Sequence, residues 1–158
     1  MKYLILVIAL LSVLFIGCSD NKSTSTGPTD VNTETWQSIA NDTLGTGTWY
    51  IKQSTGGTLN ISGNWVFEWD GIEASCVFTS GTAIVTGDSL NFTGSGNAHY
   101  AGAPVGYQDS PFVLKSRGIA SSGNFSGVYE ITFTTFGWPS KFSGTTKSKR
   151  IAGSGITK

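Results

Sequence analysis

The chain has 158 residues with ten basic and ten acidic side chains, so its formal charge is zero and its length suits a single domain. Glycine is abundant, at 21 residues against an average of about 7 %, and charged residues make up only 13 %. With no long Ala/Leu/Glu/Lys stretch after Cys18, this composition excludes a helical bundle and points to short strands joined by tight turns.

Met1-Lys2 is followed by an apolar run of 15 residues, Tyr3 to Gly17, and then by Cys18. A positive start, a short apolar core and a small residue before the cut define a secretory signal peptide. The run is shorter than the roughly 20 apolar residues that a membrane-spanning helix needs. Leu14-Phe15-Ile16-Gly17-Cys18 resembles the lipobox of bacterial lipoproteins, although Phe15 stands where leucine is commonest. The resemblance implies removal of residues 1–17 and a diacylglycerol on the Cys18 thiol. It also implies that Ser19, in place of an aspartate, directs the protein to the outer membrane of a host that has one. Several acyl chains together make anchoring stable where a single chain does not.

Residues 18–35 are polar and read as the lipidated cysteine with a flexible tether, so the folded domain is expected over residues 36–158. Gly47 to Lys52 is the first clear strand, and Thr58 to Ser62 follows as a second. Asn64 to Thr79 reads as a hairpin around Asp70-Gly71, a preferred type I′ turn. That turn sets Trp69 opposite Ile72, Phe67 opposite Ala74 and Trp65 opposite Cys76, all on the core face. It also sets Glu68 opposite Glu73 on the outer face. A second hairpin, Thr82 to Thr93 around Gly87-Asp88, pairs Val85 with Leu90 and Ala83 with Phe92. Asn97 to Tyr100 is a further short strand, and residues 101–111 form the longest irregular stretch. Phe112 to Arg117, Val128 to Phe136 and Phe142 to Ile151 supply the remaining strands. Eight to ten strands connected to their neighbours predict an all-β domain, an antiparallel up-and-down barrel or a β-sandwich.

Few residues carry chemistry. His99 is the only histidine, which rules out a metal site built on imidazoles, and a Ser-His-Asp arrangement would have to use it. Glu68, Asp70 and Glu73 gather at one hairpin tip, where they are weak candidates for a cation; solvated carboxylates are the expectation. Cys76 lies in a strand and reads as a small buried hydrophobe. From Cys18 to Asp109 there are nine acids and two bases, and from Ser110 to Lys158 seven bases and one acid. Such a basic half could form an anionic-surface patch, but pairing with acids on neighbouring strands is expected instead, and no nucleic acid partner is implied.

Gly47-Thr48-Trp49 near the domain start, with the up-and-down pattern, resembles the Gly-x-Trp first strand of the calycins, the lipocalins and avidins. The resemblance implies an eight-stranded barrel with a ligand cavity at one mouth, and a basic residue, Arg150 or Lys149, packed over Trp49. Tyr100, Tyr107 and Trp138 are the candidates for an exposed aromatic binding site. The expected protein is a lipid-anchored, non-catalytic module of the cell envelope without a cofactor. Its expected ligand is a small apolar molecule, a glycan or a protein. The alternative is a structural surface lipoprotein with a filled core.

Overall fold

The computed structural model describes residues 30–39, 44–69, 71–135 and 137–157. The expected signal segment, Cys18 and the first part of the expected tether lie outside them. Eight strands follow one another: β1 (Asp30–Ser38), β2 (Thr46–Ser54), β3 (Leu59–Trp69), β4 (Ile72–Thr86), β5 (Ser89–Tyr100), β6 (Asp109–Ser121), β7 (Asn124–Phe133) and β8 (Phe142–Ala152). Each is antiparallel to its neighbour, and β8 pairs with β1, with Trp36 opposite Arg150 and Ser38 opposite Ser148, so the sheet closes into a barrel. Closure removes the bare edges that a sandwich would leave.

Both hairpin registers read from the turns are present. Trp65 faces Cys76, Phe67 faces Ala74 and Glu68 faces Glu73, while Val85 faces Leu90 and Ala83 faces Phe92. Gly71 and Gly87 supply the positive φ, at 75° and 61°, that such turns require. Ile72, expected on the core side, is exposed instead, because it sits at the rim where the interior ends. Strand period puts alternate residues inside, as in β6, where Ser110, Phe112, Leu114 and Ser116 are buried between exposed neighbours.

Strand bounds also differ from expectation, with β6 starting at Asp109 inside the expected irregular stretch and β7 running Asn124–Phe133. β1 begins at Asp30, ahead of Trp36, and so takes in residues assigned to the tether. Thr58 to Ser62 and the strand after it are one element, β3, which runs through Gly63. In the same way β4 and β5 each join two expected strands, β5 passing through Gly94-Ser95-Gly96. Close approach of the neighbouring strand, together with the rings it carries, explains these glycines. A Cβ on Gly63 would come 2.6 Å from Cβ of Trp49, and one on Gly96 would run into the Val77 carbonyl oxygen and come 2.8 Å from the end of the Phe112 ring. Small inward positions leave room for large rings on the next strand, which is how a narrow barrel fills its interior.

That interior is one cluster. Trp36 stacks on Trp49 at 5.1 Å, and Trp49 meets Phe92 and Phe125 at 5.6 and 5.7 Å. Further along, Phe78, Phe112, Phe133 and Trp138 follow one another at 6.5, 6.2 and 4.9 Å. The two barrel ends are unlike. Residues 55–58, Gly87-Asp88 and Ser122-Gly123 make short turns at one end, which we term the turn end; β1 starts there and the chain after Ala152 finishes there. The longer connections, including residues 101–108 and 134–141, lie at the other, the loop end.

Candidate functional site

The polar part of the interior lies at the seam between β1 and β8. Glu34 points inward from β1 and is fully buried. Its Oε1 accepts hydrogen bonds from Nη1 of Arg150 at 2.8 Å and from the backbone N–H groups of Ile156 and Thr157, both at 3.1 Å. Its Oε2 accepts from the Thr157 hydroxyl at 2.8 Å and from the Trp36 indole at 3.3 Å. Arg150 also donates to the Thr157 carbonyl and hydroxyl, so the C-terminal tail is drawn over this end. Burial pushes the Glu34 carboxyl upward, but the two Thr157 hydrogen bonds, the Ile156 N–H and the Arg150 charge together outweigh it, and its pKa lies below the ordinary 4.5. A carboxylate so saturated with donors closes the barrel; it has no lone pair directed at a substrate.

The Arg150 guanidinium lies 5.7 Å from the centre of the Trp36 ring. This corrects the expected pair of Trp49 with Arg150. Trp36 is inserted between them, and the Trp49 indole donates to Ser148 Oγ on β8 at 3.0 Å. The reason is that β1 precedes the Gly47-Thr48-Trp49 strand and lies between it and β8.

At the loop end, Tyr100, Tyr107 and Trp138 do come together, but not as an open aromatic surface. Trp138 is only 8 % exposed; it packs on Phe133 and, edge-on at 6.1 Å, on Tyr100, and its indole donates to the Tyr107 carbonyl at 2.7 Å. Tyr107 alone presents its ring to solvent. The three form a plug, because an indole following a turn glycine can fold back onto the last interior ring. Beside the plug is a partly open hollow of about 130 Å³ lined by Phe67, Glu68, Phe133, Pro139 and Phe142. Phe67 and Phe142 stack across it at 5.9 Å. The sequence reading missed this hollow, since Phe67 and Phe142 come from strands that do not pair and only barrel closure joins them.

On the outer surface, Ser75, His99 and Asp109 occupy one cross-strand row, with His99 Nδ1 2.8 Å from Asp109 Oδ1. Both members of that pair are exposed on a convex sheet whose backbone N–H groups are committed to ladders, so the row has no enclosed cleft and no oxyanion donors. Among the described residues no three His, Cys, Asp or Glu side chains converge as metal ligands; Glu68 and Glu73 sit opposite each other, and Asp70 is outside the described residues. Cys76 is buried, and burial pushes its thiol up to about 12. Lys149, the other cation considered for the closing pair, is exposed on the outer face.

Comparison of the chain with protein-family models, curated proteins and solved structures gives no match.

Proposed function

We propose that this protein is a lipid-anchored, non-catalytic barrel of the cell envelope that holds a small apolar group in its loop-end mouth. The hollow between Phe67, Phe133, Pro139 and Phe142 carries this reading. At about 130 Å³ it is close to the volume of roughly 150 Å³ that accepts benzene in an engineered apolar cavity. Its lining offers a single polar side chain, Glu68, so a ring or branched alkyl group suits it better than a glycan, which needs several hydrogen-bond partners. The signal segment and the Leu14–Cys18 motif support the anchor. The chain enters β1 at the turn end, so a lipid on Cys18 holds that end toward the bilayer and the mouth away from it.

Titration with toluene, followed by NMR of the aromatic side chains, tests the pocket. Saturable shifts confined to Phe67, Phe133 and Phe142, and abolished in Phe142→Trp, are expected. Shifts that never saturate, or that spread evenly over the core, would contradict it. The single packed core cluster that takes in both Trp36 and Trp138 favours a second reading, a structural lipoprotein with a filled core, and the absence of any toluene response would select it.

A further inference from the structure

We infer that the outer face of β6, β7 and β8 next to the turn end is a docking surface for an anionic lipid bilayer. Outward positions there alternate between cations and aliphatic side chains. Arg117 is opposite Val128, and Ile119 is opposite Ser126, which is in turn opposite Lys147. Lys149 and Ile151 extend the face toward the end of β8. The aliphatic members are open to solvent, at 54 % for Ile119, 44 % for Val128 and 55 % for Ile151. A face of this kind sets cations among lipid phosphates and lets short branched chains enter the headgroup layer.

Charge along the barrel points the same way. The loop end carries the exposed acids Glu68, Glu73 and Asp109, and its one exposed cation among the described residues, Lys141, is ion-paired with Glu130. At the turn end the exposed cations Lys52, Arg117, Lys147 and Lys149 face one exposed acid among the described side chains, Asp88, since Glu34 is buried against Arg150. The barrel is thus basic where its N-terminal segment enters and acidic at the far end. From Cys18 to Asp30 the chain reaches at most about 40 Å when extended, so an anchored barrel stays within reach of the bilayer. The inference rests on the lipid-anchor reading for this proximity; the charge and the exposed isoleucines stand independently.

The test uses the full chain purified from membranes, carrying Ser126→Cys with a nitroxide; buried Cys76 is not labelled in the folded protein, and the parent chain labelled in parallel reads out any free Cys18. The chain is mixed with vesicles of phosphatidylcholine alone or with a third phosphatidylglycerol. Sedimentation with the vesicles reports the anchor, and relaxation by oxygen against a nickel chelate reports whether Ser126 meets lipid. The expected result is sedimentation with both vesicles, a lipid-contacting label only on the anionic ones, and reversal to water in Lys147→Glu/Lys149→Glu. A label at Val105, in the loop-end connection, stays in water throughout. Sedimentation with both and a wet Ser126 label overturns the docking face while the anchor stands. Sedimentation with anionic vesicles alone, weakened at least roughly thirtyfold by the double charge reversal, supports the face and removes the anchor. No sedimentation with either overturns both.

Discussion

Glu34 shows how one residue can decide the closure of a barrel. It is a charge placed inside an otherwise aromatic core, tolerable only because Arg150, Thr157, Ile156 and Trp36 all donate to it. Glu34→Ala leaves Arg150 partly buried without its counter-charge, and a loss of about 3 kcal/mol is expected in urea unfolding. The pH dependence follows from the lowered carboxyl pKa. In the unfolded chain Glu34 takes up its proton near the ordinary value, earlier on acidification than in the fold. Its contribution is therefore complete above the ordinary glutamate range and is lost as pH falls through the lowered folded value. Glu34→Gln should flatten this acid limb of the stability profile, and an unchanged limb would show that other carboxylates set it. Cys76 gives a second residue-scale expectation. With its thiol held at about 12 by burial, it should resist iodoacetamide in the native protein and react once urea unfolds the chain.

At the scale of the strand, glycine has two jobs that look alike in a sequence. Gly71 and Gly87 sit in turns with positive φ, and there the turn reading gave the right hairpins and the right registers. Gly63, Gly94 and Gly96 sit inside strands and make room for Trp49, Phe78 and Phe112, yet the same residue type was read as a strand end. What distinguishes them is how closely the backbone and rings of the neighbouring strand approach, information that local sequence does not contain. Gly63→Ala should cost about 1–3 kcal/mol through overpacking against Trp49, whereas Gly56→Ala, with nothing within 4 Å of the added methyl group, should be close to neutral. Thermal unfolding of the two variants measures the difference. β1 escaped notice for a related reason. Its inward positions are Glu34 and Trp36, so the apolar alternation that marks a strand is broken by a carboxylate whose partner is far along the chain, on β8.

For the whole molecule, the up-and-down order of strands was legible from composition, turn spacing and alternation, while the choice of barrel over sandwich was not. It depends on pairing between the first and last strands, and the only sequence trace of that pairing is one acid early and one arginine late. The candidate site was half legible. Tyr100, Tyr107 and Trp138 do cluster, but the 101–108 connection folds so that Trp138 seals the interior. The hollow beside them is created by closure alone. The barrel that results has a closed, basic turn end where its N-terminal segment enters and an acidic loop end with a small apolar mouth.

Orientation gives those two ends their meaning, and it depends on Cys18. Mass spectrometry of the mature N-terminus, on protein taken from the membrane fraction of its host, tests this most directly. The expected chain begins at Cys18, lacks residues 1–17 and carries the added mass of a diacylglyceryl group with or without a further acyl chain. A chain that retains Met1 to Gly17, or begins at an unmodified Cys18, would contradict it.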